Sequence, residues 1–423
     1  MRTFPRLVTA VAVAAALVAL TACAGPAGAP APKKAKETVA PVPTRADADL
    51  VIWADDARAK VLQPFLDEFG KENGISAVVQ TVNDNGRDSF VTATLANNGP
   101  DLVVGAHDWL GKFIENGVVS PIAMSEATKA SFLPTSITAA TSAGQLYGVP
   151  YAVENIGLVR NLALVPDVPA TVEDMLATGN SLVADGTATN PFVMPVGQSG
   201  QPYYAAPFIT SAGGYVFGRD ANGDYNPKDM GLSGPGAAAA ADKLAWMTEQ
   251  GALSASIDYN EALDLFITGK APYLVAGPWA IGDIKEAGID YGISAIPAFK
   301  GGATARPFLG VQLFYVSSKA KNATFAQEFA LNYLARPDVQ LALYKEGQRP
   351  PALAEVNAQV AATDPDIRAW SAAGASGDPM PSIPEMDAVW GPLGVAVVNI
   401  VNGEGSPATS MSDAAKAITK AIG

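Results

Sequence analysis

From residue 50 onward the chain alternates short apolar runs with amphipathic ones, and this alternation restricts the fold more than any other feature. Leu50-Val51-Ile52-Trp53 is a continuous apolar run of the kind buried on both faces of a sheet. Ala57 to Glu72 follows with helical spacing. Val61, Leu62, Phe65, Leu66 and Phe69 share one face, and Asn73-Gly74 supplies a stop. Ile75 to Val82 reads as a second strand, Ser89 to Asn97 as a helix, Leu102 to Val104 as a third strand and Trp109 to Glu115 as a helix. Such repetition implies parallel β-α-β units and an α/β fold. A second α/β stretch over about 157–308 carries expected helices at 171–182, 236–250, 259–269 and 279–287, and expected strands at 192–196, 271–276 and 291–296. An apolar strand, Val311 to Val316, precedes a helical region starting near Asn322, where the sequon Asn322-Ala323-Thr324 offers an N-cap. Residues 48–423 are too many for one core, so two lobes are expected.

The sole cysteine, Cys23, excludes an internal disulfide and leaves stability to core burial. Arg2 and Arg6 head an apolar run from Leu7 to Leu20, and Leu20-Thr21-Ala22 leads into Cys23. This layout reads as a lipoprotein signal peptide over 1–22 with Cys23 lipidated. An ordinary signal peptide with a chance cysteine is the alternative, and either one exports the chain. The run is shorter than the roughly 20 residues a membrane span needs. Residues 23–47, rich in Pro and Ala, read as a lipidated flexible tether. Extended at roughly 3 Å per residue, it would hold the body some 70 Å from the bilayer. The expected location is the outer face of the cell membrane, with contact through the lipid only.

The net charge is −13, and loss of Arg2 and Arg6 with the leader takes it to −15. A chain this acidic repels phosphate backbones and offers no basic patch to anionic lipids, so no nucleic acid partner is expected. His107 is the single histidine, so a multi-histidine or multi-cysteine zinc site cannot be built. No phosphate-binding glycine loop occurs, and no cofactor or metal is expected. Asp220-Ala221-Asn222-Gly223-Asp224 reads as a hairpin turn, since its glycine is misplaced for a calcium loop.

Nine short blocks run in order to the C-terminus: Leu50-Val51-Ile52-Trp53, Gly105-Ala106-His107-Asp108, Val149-Pro150-Tyr151-Ala152-Val153-Glu154, Gln201-Pro202-Tyr203-Tyr204, Ala212-Gly213-Gly214-Tyr215, Asp258-Tyr259, Gly277-Pro278-Trp279, Pro307-Phe308-Leu309-Gly310-Val311, and Met380-Pro381-Ser382-Ile383-Pro384 leading to Trp390. Together they resemble the maltose/maltodextrin-binding proteins of ATP-driven sugar importers. The resemblance implies an α/β, two-lobed periplasmic-binding-protein fold with a hinge between lobes. The chain would cross near Ala152–Gly157, Phe308–Leu313 and Asp364. It implies an N-terminal lobe of 48–152 plus 313–362, a C-terminal lobe of 157–308 plus 366–423, and a sugar in the cleft between them.

The chemistry of the residues agrees with that role. A pyranose has an apolar C–H face and a rim of hydroxyls, so its recognition needs flat rings and hydrogen-bonding groups. Trp279 and Trp390 stand beside Gly and Pro in segments that read as loops or element ends, and Tyr203, Tyr204 and Tyr259 follow loop-like stretches. Without the resemblance, core anchors would be the ordinary reading of such tryptophans. Asp108 sits between a strand and a helix, where an N-cap is the plain reading. Glu154 lies in an apolar run and needs a partner. The resemblance makes Asp108 and Glu154 acceptors for sugar hydroxyls, with about 1.5–3 kcal/mol per charge-assisted bond. It adds Asp56, from the polar cluster Asp55, Asp56 and Arg58 at the end of the first strand, and it places Arg87 and Asp88 near another contact. Gly105 stands where the family carries an aromatic ring and Trp109 where it carries an arginine, so Trp109 is expected to replace the missing ring. Gln201 stands where an acid is familiar, and a familiar tyrosine and arginine are missing after Trp390. Maltose, maltodextrin, cyclodextrin and trehalose therefore all stay open as ligands. His107 reads as structural. Gln312, polar in an apolar strand, reads as an added contact or a hinge hydrogen bond.

The expected function is a monomeric substrate-binding lipoprotein that captures maltodextrin-type α-glucan oligosaccharides and passes them to ABC permease subunits, without catalysis. A glycoside hydrolase would need two carboxylates across one bond, and nothing marks Asp108 and Glu154 as such a pair. A polysaccharide-adhesion protein is the third class.

Overall fold

The computed structural model describes residues 42–83, 86–221 and 223–423. The expected leader, Cys23 and most of the expected tether lie outside the described residues, as does Asn222 of the expected hairpin turn. The flanking strands Phe217–Arg219 and Tyr225–Met230 do pair antiparallel around that turn.

The first sheet runs Asp378–Pro379, Phe308–Ser317, Leu102–Ala106, Leu50–Ala54, Ala77–Thr81. Leu50–Ala54 is fully buried and parallel to both neighbours, as alternating strands and helices require. Phe308–Ser317 is antiparallel to Leu102–Ala106 and also to Gly148–Glu154. Helix Asp56–Asn73 covers this sheet through Leu62, Leu66 and Phe69. Asp55 caps its start, and Gly74 ends it at φ 67°, a left-handed conformation cheap only for glycine.

The second sheet has three strands, Tyr273–Ala276, Gly157–Asn161 and Tyr291–Ser294, and the central one is antiparallel to both neighbours. The strand expected at 192–196 shrinks to one parallel bridge, Val193 to Leu274. Pro191 and Pro195 flank it, and a proline has no N–H with which to extend a ladder.

The buried side chains form three clusters. One draws on Leu50 to Ala152 and on Val311 to Ile367. A second draws on Ile156 to Ala305 and on Met386 to Ile418. A third gathers Val159, Phe266, Ile281 and Trp370. The chain leaves the first sheet after Glu154 and enters the second at Gly157. It returns along Phe308–Ser317. It departs again at Asp364, whose side chain caps helix Pro365–Ala373.

Two expectations need correction. The body starts before residue 48. Arg45 is buried, donates to the Ala48 carbonyl at 2.8 Å and pairs with fully buried Asp101 at 2.6 Å, so the segment from Arg45 is part of the core and not tether. Asn322 does precede helix Ala323–Asn332, but its side chain makes no cap. Its amide donates to the Asp49 carbonyl at 2.5 Å and ties the helix start to the first strand's entry.

Candidate functional site

The end of the Leu102–Ala106 strand opens the polar half of the site. The strand runs into a 3₁₀ turn, His107–Trp109, which continues as helix Leu110–Glu115. His107 is fully buried. Its Nδ1 accepts from the Val311 N–H at 3.1 Å, so the proton sits on Nε2, which donates to the Met380 carbonyl at 3.0 Å. Burial lowers its pKa to about 4, so the ring is neutral and structural. Asp108 is also buried and caps nothing. Burial raises its pKa to about 6, against the pull of Arg87 and of the nearby Trp390 indole.

Trp109 packs closely against Gly105. A Cβ at that glycine would fall 2.0 Å from the indole, so the missing side chain makes room for the ring. Both residues line a cavity of about 400 Å³, together with Trp53, Asp55, Arg58, Asn83, Arg87, Asp88 and Gln312. Gln312 links this cavity to the next group. Its oxygen accepts from Arg58 at 3.1 Å, and its amide donates to Glu154 at 2.7 Å. The other Glu154 oxygen pairs with Arg349, whose guanidinium stands 5.3 Å from the Trp279 ring centroid. Burial opposes the Arg349 charge, but the Glu154 carboxylate outweighs it and raises the pKa above its ordinary value.

The apolar half is a cluster of rings. Trp279 lies in the 3₁₀ turn Pro278–Ala280, where Pro278 pre-sets the first position. Tyr203 and Tyr204 lie in the first turn of helix Pro202–Ser211, which also opens on a proline. Tyr203 is 6.5 Å from Trp279 and 6.5 Å from Phe308, nearly parallel to the latter. Phe308 meets Trp390 edge-on at 6.3 Å, and Trp390 lies in the first turn of helix Asp387–Asn402. Tyr204 packs at right angles to Tyr203, 5.7 Å away. Tyr259 begins helix Tyr259–Ile267 under an Asp258 cap and interacts with Tyr204. Burial pushes the Tyr259 phenol up to about 12, and those of Tyr203 and Tyr204 further. The Tyr203 hydroxyl is buried with no hydrogen-bond partner among the described residues.

The structure thus brings together Asp108, Trp109, Glu154, Tyr203, Tyr204, Tyr259, Trp279 and Trp390. All the rings among them except Tyr204 are half-buried, neither core nor surface. Two of the expected residues stand apart. Asp56 is exposed on the outside of its helix and pairs with Lys60 at 2.6 Å; Asp55 and Arg58 line the cavity in its place. Helical geometry explains the offset, because the cap residue faces the strand end while the next residue turns outward. Gln201 is exposed ahead of Pro202 and does not line the cavity. Sequence reasoning missed Arg349 and Phe308. The unpaired Glu154 was the one signal that a cation had to come from elsewhere, and Phe308 stood inside a resembling block without a role.

The family described as bacterial extracellular solute-binding protein matches residues 65–373. The galactooligosaccharide-binding protein of Bacillus subtilis (strain 168) is 28% identical over 382 residues, covering 87% of this chain and 88% of that one. The maltotriose-binding protein of Pyrococcus abyssi is 30% identical over 312 residues, 72% of this chain and 66% of that one. A maltooligosaccharide ABC transporter solute-binding lipoprotein of Streptococcus pneumoniae is 24% identical over 383 residues, 88% of this chain and 89% of that one.

Proposed function

The chain belongs to the bacterial extracellular solute-binding protein family, and on that premise we propose that it captures a neutral oligosaccharide between its two main cores and delivers it to the permease of an ABC importer. One observation carries the reading. Four rings packed against the second core, Tyr203, Trp279, Phe308 and Trp390, adjoin the polar groups Asp108, Gln312, Glu154 and Arg349 around the first. Rings suit the C–H face of a pyranose and the polar groups suit its hydroxyl rim. The unpartnered Tyr203 hydroxyl is one more group for a sugar to satisfy.

In this reading the cores are two lobes, 48–152 plus 313–362 and 157–308 plus 366–423, extended at the start to Arg45. The sugar touches both lobes only when they are closed, so it shifts the population toward the closed form. Cys23 carries the lipid that keeps the body, a monomer, at the outer face of the membrane. Binding takes place without hydrolysis in this reading: Glu154 is held by Gln312 and Arg349, an arrangement that suits acceptance of a sugar hydroxyl.

The sugar proposed is a maltodextrin-type α-glucan, in line with the maltotriose and maltooligosaccharide relatives. A galactooligosaccharide is the second reading, because the relative named for it aligns over 87% of the chain. Calorimetry of the soluble body against maltotriose, a longer maltodextrin and a galactooligosaccharide distinguishes them. The expected result is one saturable site for the α-glucans. A preference for the galactosides selects the second reading, and no binding of any neutral oligosaccharide overturns the proposal.

A further inference from the structure

The stretch from Met380 to Trp390 is pinned to the first core at three points. His107 Nε2 donates to the Met380 carbonyl at 3.0 Å. The backbone of Gly111 lies so close to Ile383 and Pro384 that a Cβ would come within 2.4 Å of them. Asp387 meets two cations, Arg87 at 2.6 Å and Lys112 at 2.9 Å, and Lys112 also holds Asp88 at 2.9 Å. Arg87 and Lys112 ride on helices whose Phe90, Leu110 and Phe113 are part of the first core. Asp387 opens the helix whose Val389, Leu393 and Val397 are part of the second. One turn beyond Asp387 stands Trp390, whose indole lies beside Asp108 and favours its carboxylate.

We propose that Asp387 is a positioning residue: held between Arg87 and Lys112, it fixes how far Trp390, on the second core, stands from Asp108, on the first, and so sets the grip on the sugar. The inference rests on the sugar-binding reading above. Of the three pins, only this one is made of full charges. Its side chains are 22% to 33% exposed, so dissolved ions reach it. The two other pins, a neutral hydrogen bond and a glycine contact, are indifferent to salt. An uncharged sugar adds no charge of its own, so comparing the wild-type chain with Asp387→Asn separates this ion pair's share of any salt dependence from that of other contacts such as Glu154–Arg349.

The test measures the affinity and off-rate of maltotriose and a galactooligosaccharide from low salt to about 1 M, where the screening length falls to about 3 Å. The wild-type chain is expected to weaken about threefold to tenfold across that range, mainly through faster release. Asp387→Asn is expected to be weak already at low salt and nearly flat thereafter. Lys112→Met gives a second, independent flattening, and Asp387→Glu restores the slope. Melting curves without sugar establish that each variant is folded. If Asp387→Asn keeps both wild-type affinity and wild-type slope, the positioning role falls while sugar binding stands. If the wild-type chain binds no oligosaccharide, both fall.

Discussion

Two tryptophans in different parts of the molecule are presented in the same way. Trp109 follows the Leu102–Ala106 strand in a 3₁₀ turn and lies over Gly105. Trp279 follows the Tyr273–Ala276 strand in a 3₁₀ turn and lies over Gly277, where a Cβ would stand 2.2 Å from its ring. Each glycine gives up its side chain so that an indole can approach the backbone closely at a strand's end. Their surroundings differ. Trp109 lines a cavity with Asp55, Arg58, Arg87, Asp88 and Gln312. Trp279 sits among Tyr203, Tyr204 and the guanidinium of Arg349. One half thus adds charge and hydrogen bonding around a ring, and the other adds more rings. A sugar gripped between them would have its hydroxyls read mostly by the first half and its flat faces mostly by the second.

Arg349 pairs with Glu154 in one half and lies against the Trp279 ring of the other, and its removal should give the largest effect. Arg349→Met leaves Glu154 buried without its cation and is expected to cost about 3–5 kcal/mol in urea unfolding without sugar. The double variant Glu154→Gln/Arg349→Met should recover much of that loss. A single-variant cost under about 1 kcal/mol would mean that Glu154 does not depend on this cation.

Next in size is the ring comparison itself. Trp279→Ala and Trp390→Ala are each expected to weaken sugar binding by about 1–3 kcal/mol with little change in the melting temperature of the free protein. Gly277→Ala should reproduce Trp279→Ala by displacing the indole, and Gly105→Ala should do the same, less severely, through Trp109. A large melting loss at unchanged affinity would reassign these rings to the core.

Much of this arrangement was legible in the sequence where the signal was local. The periodicity of Val61 to Phe69 and the stop at Asn73-Gly74 gave a helix within a residue of the one observed, Asp56–Asn73. The resemblance sets Trp109 in place of a ring missing at Gly105, and the indole does pack closely against that glycine. What was not legible depended on distant segments. Arg349 reaches Glu154 from 195 positions along the chain, and no spacing rule covers such a distance. Asp55 and Asp56 are adjacent acids, and only the exact helix start decides which one faces the cavity. Arg45 sits in a Pro- and Ala-rich stretch that reads as tether, yet Asp101 draws it into the core.

The smallest effect sets the halves apart by pH. His107 and Asp108 are neighbours in the first half, and they titrate in opposite senses. The His107 pKa is lowered from 6.5 to about 4, so between those values the unfolded chain holds a proton that the folded one lacks, and stability falls as pH drops. The Asp108 pKa is raised from 3.8 to about 6, so across that window the folded chain holds the extra proton, and stability is lost as pH rises. Over pH 4 to 6 the two contributions nearly cancel. Asp108→Asn should therefore lose stability relative to wild type as pH falls through this range, by about 1 kcal/mol per unit, and His107→Gln should show the reverse slope. In the second half, burial pushes Tyr259 up to about 12 and Tyr204 further, so Trp279→Ala should leave the shape of the pH profile unchanged. An Asp108→Asn profile parallel to wild type would mean that Asp108 reaches solvent when the protein moves, and the polar half would then be the more open of the two.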